Sequence, residues 1–495
     1  MNASTAHARV SAAEAPKRRR LRWALLALLA LGGAIAAVSA SSLASRGITP
    51  RLLGPYIEQR ARGNGPLETI GRWIGSALLR LDRGRIEPQL QYPDWVGPRA
   101  ERPSTAAAAR RTVIAFSPDE AIAAIADARA GDVITFAPGR YRFQGTGIAA
   151  VAPGRADAPI VVRAERFGTV HLQFDMVEGI VVSAPWWTFE NLVIEGVCAT
   201  HDACEHAFHV AGAADNVKIR NNELRDFNAH VKINGEGGRF PDDGVIEGNR
   251  LVNASPRRAN SPVTPIDIVA ANGWTIRGNL IADFVKAQGD RISYGAFAKG
   301  AGSNNRFIGN VVLCEHRLRG APGRRIGLSF GGGGSDPTAC RDRRCIVEHD
   351  AGVMHSNLIA ACSDVGIYVN RAARTQLVHN TLLDTGGISV RFGESSAEVQ
   401  ANLVDGPIHA RDGGSIHAQD NRETSVLALY AGWHPVRALF RGAAELDLAW
   451  ESAPPTRPGG EKTPDLCGAT RAATPALGAF DNITACTRVK SWAGR

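Results

Sequence analysis

The chain has 495 residues, 44% hydrophobic and 21% charged, which supplies a large core and excludes a disordered or fibrous chain. Its formal charge is +9, but residues 1–22 hold six basic residues (Arg9, Lys17, Arg18, Arg19, Arg20 and Arg22) and one acid (Glu14), a net +5 that leaves +4 for the remainder. That excess is too small and scattered for nucleic acid, and it suits an acidic partner.

The basic cluster KRRRLR (17–22) leads into an uncharged run of 22 residues, 23–44. Together they form an export signal with the N-terminus held in the cytoplasm. It is either cleaved near Val38-Ser39-Ala40 or retained as an inner-membrane anchor, so the expected location is exported: periplasmic, or secreted. Residues 45–111 read as a helical spacer and linker. Their amphipathic phrases LLGPYIEQRA and LETIGRWIGSALLRL predict helices that either lie along a membrane face or pack against the following domain. Residues 91–109, rich in Pro, Ala and charge, predict a linker.

At Ser117 the phrase SPDE offers an N-cap, a Pro at the first helical position and first-turn acids. AIAAIADARA supplies an apolar face, with Gly131 expected to end the helix before the strand DVITFAPGRY. Such a helix covers the open end of a stack of coils.

From 187 to 421 one phrase recurs: TFENLVIEG, VKIRNNELRDF, GVIEGNRLVNA, WTIRGNLIADF, NRFIGNVVLCE, GVMHSNLIAAC, TQLVHNTLLDT, AEVQANLVDG and IHAQDNRE. Its Asn residues, Asn191, Asn222, Asn249, Asn279, Asn310, Asn357, Asn380, Asn402 and Asn421, are 31, 27, 30, 31, 47, 23, 22 and 19 apart. Each copy has a short apolar strand, a turn with Asn and a second apolar pair, too little to bury its own face. Stacking the copies predicts an all-β fold, a right-handed parallel β-helix over 112–421. It carries the N-terminal capping helix and a short mixed C-terminal cover over 422–495, in which VLALYAGWHPVRALF and AAELDLAW look helical. The Asn residues are expected in αL turns, bonded to backbone or to the Asn of the next coil.

The eight cysteines, in an exported chain, suggest disulfides; close spacing favours Cys198 with Cys204, Cys340 with Cys345, and Cys467 with Cys486. Their spacing does not match a zinc site, and neither metal nor cofactor is expected.

The phrase AIADARAGDVITFAPGRY resembles the entry of the secreted β-helix polysaccharide lyases of the chondroitinase B and alginate lyase family and of related β-helix proteins. PDLCGATRAATPALGAFD (464–481) is similar to their closing segment. The resemblance covers residues 112–481 and implies a protein acting on, or binding, an acidic polysaccharide. KGAGSNNRFIGNVV is similar to the family's Lys-Ser element, which implies that Lys299 is the base of a β-elimination. The family's calcium-binding Glu pair is replaced here by Ile292 and Tyr294, and Phe330 stands where its next Arg would fall.

Around Lys299 the sequence offers Tyr294 as acid or stacking ring, and Lys232, Arg325, Arg371 and Arg391 as carboxylate-binding groups. Counting coils places Arg371 about 10 Å and Arg391 about 14 Å from Lys299, distances for neighbouring sugars. His230 and His316 are further candidates to flank a groove, Asp242 and Asp243 form a weaker hydrolase-like pair, and the 47-residue step before Asn357 predicts a long loop beside the site. Two functions stay open: lyase-like β-elimination on a uronate-containing polysaccharide, or a non-catalytic β-helix that binds envelope polysaccharide or exopolysaccharide.

Overall fold

The computed structural model describes residues 41–61, 63, 65–84, 87–100, 109–332, 334–459 and 463–486. The basic cluster and most of the apolar run, with any cleavage site there, lie outside them. The described residues from 49 onward form one compact unit, and 41–48 belong to a separate one.

Among the described residues of the large unit, three parallel sheets of twelve, ten and eleven strands run the length of the stack, each strand paired with its counterpart one coil away. The chain is a parallel β-helix. Its interior is a continuous column of Val, Ile, Leu and Phe, including Phe189, Ile219, Ile246, Ile276, Phe307, Met354 and Leu377 at successive levels of one sheet. Burial of such a column is what a single coil cannot achieve alone.

The Asn residues form a side-chain ladder. From Asn222 to Asn402 each backbone N–H and Nδ2 donates to Oδ1 of the next Asn, as from Asn279 to Asn310 at 3.2 and 3.0 Å, while Nδ2 also donates to a carbonyl one coil back, as from Asn279 to Ile246 at 2.9 Å. The αL expectation needs a correction. The residue before each ladder Asn takes positive φ instead: Asn221, Gly248, Gly278, Gly309, Ser356, His379, Ala401 and Asp420. That leaves the Asn amide aligned along the stack. Asn191 is out of step by one: it takes the αL place itself (φ 65°) and pairs with Asn221, while the Leu192 amide donates to Asn222.

Helix α1 (Pro50–Ala61) and α2 (Gly65–Arg83) form a hairpin that packs closely where Gly54 meets Gly75. The hairpin is fastened to the coils by buried charge. Arg51 pairs with Asp82 and donates to the Cys362 carbonyl at 2.7 Å, and Arg83 pairs with Glu315 (2.5 Å) and Asp384 (3.0 Å). Among the described residues no helix is long and apolar enough to cross a membrane.

Part of the predicted linker is ordered. Tyr92, Trp95 and Val96 pack on the outer face of the eleven-stranded sheet, where Tyr92 donates to Asp283 at 2.5 Å. Helix α3 (Pro118–Ala126) closes the first coil with Ser117 accepting from the Glu120 amide and Glu120 accepting from the Phe116 amide one residue before the N-cap, a variant of the capping box. It stops at Asp127, before Gly131, which instead takes φ 90° in the turn to the next strand.

In the C-terminal cover the predicted helices are mostly absent. Among the described residues Val426–Tyr430 is α-helical and Arg437–Leu439 makes a single 3-10 turn, while part of AAELDLAW forms the strand Asp447–Trp450, antiparallel to Phe440–Gly442. There Phe440, Leu448 and Phe480 bury against the outward Leu and Val side chains of the eleven-stranded sheet, and tertiary burial overrides local propensity. The three expected disulfides form, and Cys314 joins Cys362 across neighbouring coils as a fourth.

Candidate functional site

The outer face of the ten-stranded sheet carries a cleft of about 810 Å³. Alternation along a strand sends every second side chain outward, and stacking turns those positions into ladders running along the groove. One ladder reads His209, Lys232, Asp267, Phe297, Ser329, Tyr368 and Ser389. A second runs from Val269 to Lys299, past Gly331, to Asn370, Arg391 and Arg411. From the Lys232 coil to the Arg411 coil is six steps, about 29 Å.

Lys299 ends the strand Ile292–Lys299 and lines the cleft. Its ammonium lies over the Phe297 ring, 4.6 Å from the centroid. Among the described residues no carboxylate pairs with it, whereas Lys232 pairs with Asp267 (3.0 Å) and Lys286 with Asp290 (2.9 Å). The lysine stem crosses Gly332, where a Cβ would stand 2.9 Å from Lys299 Cδ. The turn after Lys299 is held from both sides: the Gly300 amide donates to the buried Glu348 carboxylate at 3.1 Å, and its carbonyl accepts from the Arg341 amide at 2.9 Å.

The same two residues anchor the long insertion, whose Ser335, Asp336 and Ala339 line the cleft. Glu348 also accepts from the Ser335 amide (2.8 Å) and hydroxyl (2.9 Å). The Arg341 guanidinium donates to Asp242 at 2.7 and 2.8 Å and covers the Phe240 ring, with Cys340–Cys345 closing the loop tip. Asp242 is thereby a loop anchor, and Asp243 is a turn residue with φ 60°.

Tyr294 lines the cleft edge-on to Phe297, with ring centroids 5.5 Å apart. Phe297 therefore stands between Tyr294 and Lys299. Burial, together with the nearby Tyr368, Asp364 and Asp290, pushes the Tyr294 phenol up, so it keeps its proton. Two buried acceptors complete the floor: Asp267 Oδ1 and Asn370 Oδ1 find no donor among the described residues.

Of the cations expected at the substrate, Lys232 and Arg391 line the cleft. Arg391 is paired with Asp412 at 2.5 Å. Arg325 does not reach it. Its guanidinium is buried on Glu315 (2.8 Å) and the carbonyls of Ala321 and Pro322, because strand alternation sends Arg324 to the cleft and turns Arg325 away. Arg371 also lies off the cleft, at an αL turn (φ 53°) with its guanidinium 5.2 Å from the Phe392 ring. Phe330, at the position where an Arg would fall, points into the core and stacks on His349 at 4.2 Å. His230 is fully buried, and burial pushes its imidazole down to about 3; His316 stacks on Tyr92.

Sequence reasoning missed Phe297, Asp267, Asn370, Glu348 and Arg411. The signal for four of them was available: counting outward positions from Lys299 through each coil finds Phe297, Asp267, Asn370 and Arg411. Glu348 follows an insertion, and no period reaches it.

No family model matches the chain, and no curated protein matches it. Solved structures do. Pectate lyase Pel9A is 13% identical, with a TM-score of 0.49 over 77% of this chain and 98% of that one. An alginate lyase from Paenibacillus sp. str. FPU-7 is 14% identical, with a TM-score of 0.35 over 63% and 99%. A rhamnogalacturonan lyase is 13% identical, with a TM-score of 0.38 over 60% and 79%. At these identities the likeness is one of fold, which hosts many activities.

Proposed function

We propose that this protein is exported and binds an acidic polysaccharide along the cleft of the ten-stranded sheet, where Lys299 acts as the base of a β-elimination. One observation carries the reading: an ammonium without a carboxylate partner among the described residues, on an aromatic ring, in one ladder with Asn370, Arg391 and Arg411. Four disulfides support export.

In the proposed step, the Lys299 Nζ lone pair takes the proton α to a uronate carboxylate. The C–H electron pair forms the new C=C bond as the glycosidic C–O bond breaks, and the leaving oxygen receives a proton. Arg391 and Arg411 hold carboxylates of neighbouring sugars, while Asp267 and Asn370 accept sugar hydroxyls. Tyr294, protonated and apolar in its ring, supplies either the leaving-group proton or a stacking surface.

One observation favours the second reading, a non-catalytic polysaccharide-binding β-helix: Phe297 separates Lys299 from Tyr294, so base and acid are not adjacent. The test is incubation with a panel of polyuronates and glycosaminoglycans while unsaturated product is followed in the ultraviolet. Product that depends on Lys299 supports elimination. Binding without product across the panel establishes the second reading, and product that survives Lys299→Ala removes the base assignment.

A further inference from the structure

Helix α2 presents an apolar stripe that nothing among the described residues covers. Leu67, Ile70 and Trp73 are 57%, 53% and 68% exposed, and Leu81 continues the line at 40%. Their spacing puts them on one side of the helix. The adjoining side, roughly 100° round the helix, carries Gly71 and Gly75, which meet α1, and Asp82, which is buried on Arg51. The stripe is therefore not the side that folding uses. Tyr56 of α1 is also exposed, and Trp433 follows the Gly432 that packs on Leu81.

Burying the hairpin's charges in the β-helix while leaving its largest apolar side chains in water is the reverse of an ordinary surface helix. Trp and Tyr beside Arg is the composition of a helix that lies at a membrane interface. Arg60, Arg72 and Arg80 are exposed on the same hairpin, and Arg60 covers the Tyr56 ring. Long Arg stems reach from such a position to headgroup phosphates. The sequence supplies the remaining argument: the uncharged run 23–44 is long enough to span a bilayer, and only residues 45–49 separate it from α1.

We infer that the α1–α2 hairpin is a membrane-docking surface, with the stripe Leu67, Ile70, Trp73 and Leu81 lying in the interface of an anionic phospholipid bilayer. The buried pairs of Arg83 with Glu315 and of Glu315 with Arg325 connect this hairpin rigidly to the strand Arg324–Phe330, whose first residue lines the cleft. Docking thus fixes the cleft relative to the membrane surface. This inference does not depend on what the cleft does.

The full chain is reconstituted with vesicles of phosphatidylethanolamine and phosphatidylglycerol, and the Trp73 contribution is isolated as the fluorescence difference between the wild type and Trp73→Phe. Brominated acyl chains are expected to quench that difference several-fold more strongly than aqueous iodide does. In Leu67→Glu/Ile70→Glu, Trp73 is expected to lose the lipid quenching while the urea midpoint stays unchanged. Trp73 quenched by iodide and not by brominated lipid overturns the inference, even when residues 23–44 keep the chain on the vesicle. Trp73 shielded from both quenchers overturns it too: loss of shielding on dilution assigns the stripe to a second copy of the chain, and persistence assigns it to another segment of the same chain.

Discussion

Lys299 and Arg391 stand on one outward ladder of the ten-stranded sheet, three coils apart, with Gly331 and Asn370 between them. At about 4.8 Å per coil the two cations are about 14 Å apart, so under the proposed function they would address different sugars of one polymer. Gly331 and its neighbour Gly332 leave the intervening coil without a side chain at that level, and the Lys299 stem occupies the space. The site is a row of single cations read along the stack.

Lys299→Ala should abolish elimination product, a drop of about 10²- to 10⁴-fold for a general base. Its effect on stability should stay within about 1 kcal/mol, since the truncation removes one cation–π pair with Phe297 and no ion pair. Turnover followed in the ultraviolet and urea unfolding of the same preparation separate the two effects.

Gly332→Ala should act through Lys299. A new Cβ would meet Lys299 Cδ at 2.9 Å, and the flexible stem can swing aside without disturbing the coil. Activity is expected to fall about tenfold or more, as a displacement of order 1 Å does, with an unchanged melting temperature. A melting temperature lowered along with activity would show that the backbone, not the lysine, gave way.

Asn279→Ala should cost more than Asn421→Ala. The interior residue holds the Ile246 carbonyl, Oδ1 of Asn310 and both donors of Asn249, and orphaned buried groups cost about 1–3 kcal/mol each. The terminal residue holds fewer partners and is partly open to water. Denaturant midpoints of the two variants, compared with the wild type, test the order.

Asp384→Ala should release the hairpin. Burial would raise this carboxyl, but Arg83, Arg51 and Arg437 outweigh it and hold it well below the usual carboxylate range. Removing it leaves Arg51, Arg83 and Arg319 without a shared counter-ion, a loss of about 3–5 kcal/mol for a buried charge network. Limited proteolysis should then cut within residues 50–83 while the β-helix stays intact.

Stability should fall as the pH drops from about 6.5. Burial pushes the imidazoles of His230 and His349 down to about 3, partly opposed by the Val252 carbonyl at His230 and by Asp350 at His349. Between those two limits the unfolded chain binds protons that the folded one does not, so stability rises with pH over that window and is complete above it. His230→Phe should flatten the dependence of melting temperature on pH.

The sequence by itself determined the architecture. Recurrent turns marked by Asn, each beside a short apolar strand, are a local signal, and repetition makes the stacking direction legible from 187 to 421, while the coils before Trp187, which complete the twelve-stranded sheet, lack the Asn mark. It also determined the coil separation of Lys299 and Arg391, because the period serves as a ruler. Tertiary structure decided which side chains share the groove. Arg324 and Arg325 are adjacent letters, and the pleat sends one to the cleft and the other to Glu315. Phe330 went to the core because the alternation breaks at Gly327: Arg324 and Ile326 line the cleft, whereas Leu328 and Phe330 join the core. Glu348 reaches Gly300 across 48 residues through an insertion with no period, and the hairpin's face was decided by where Arg51 and Arg83 found buried carboxylates. A repeat records what each coil does with its neighbours; orientation at one position and contacts through insertions depend on packing that no local pattern encodes.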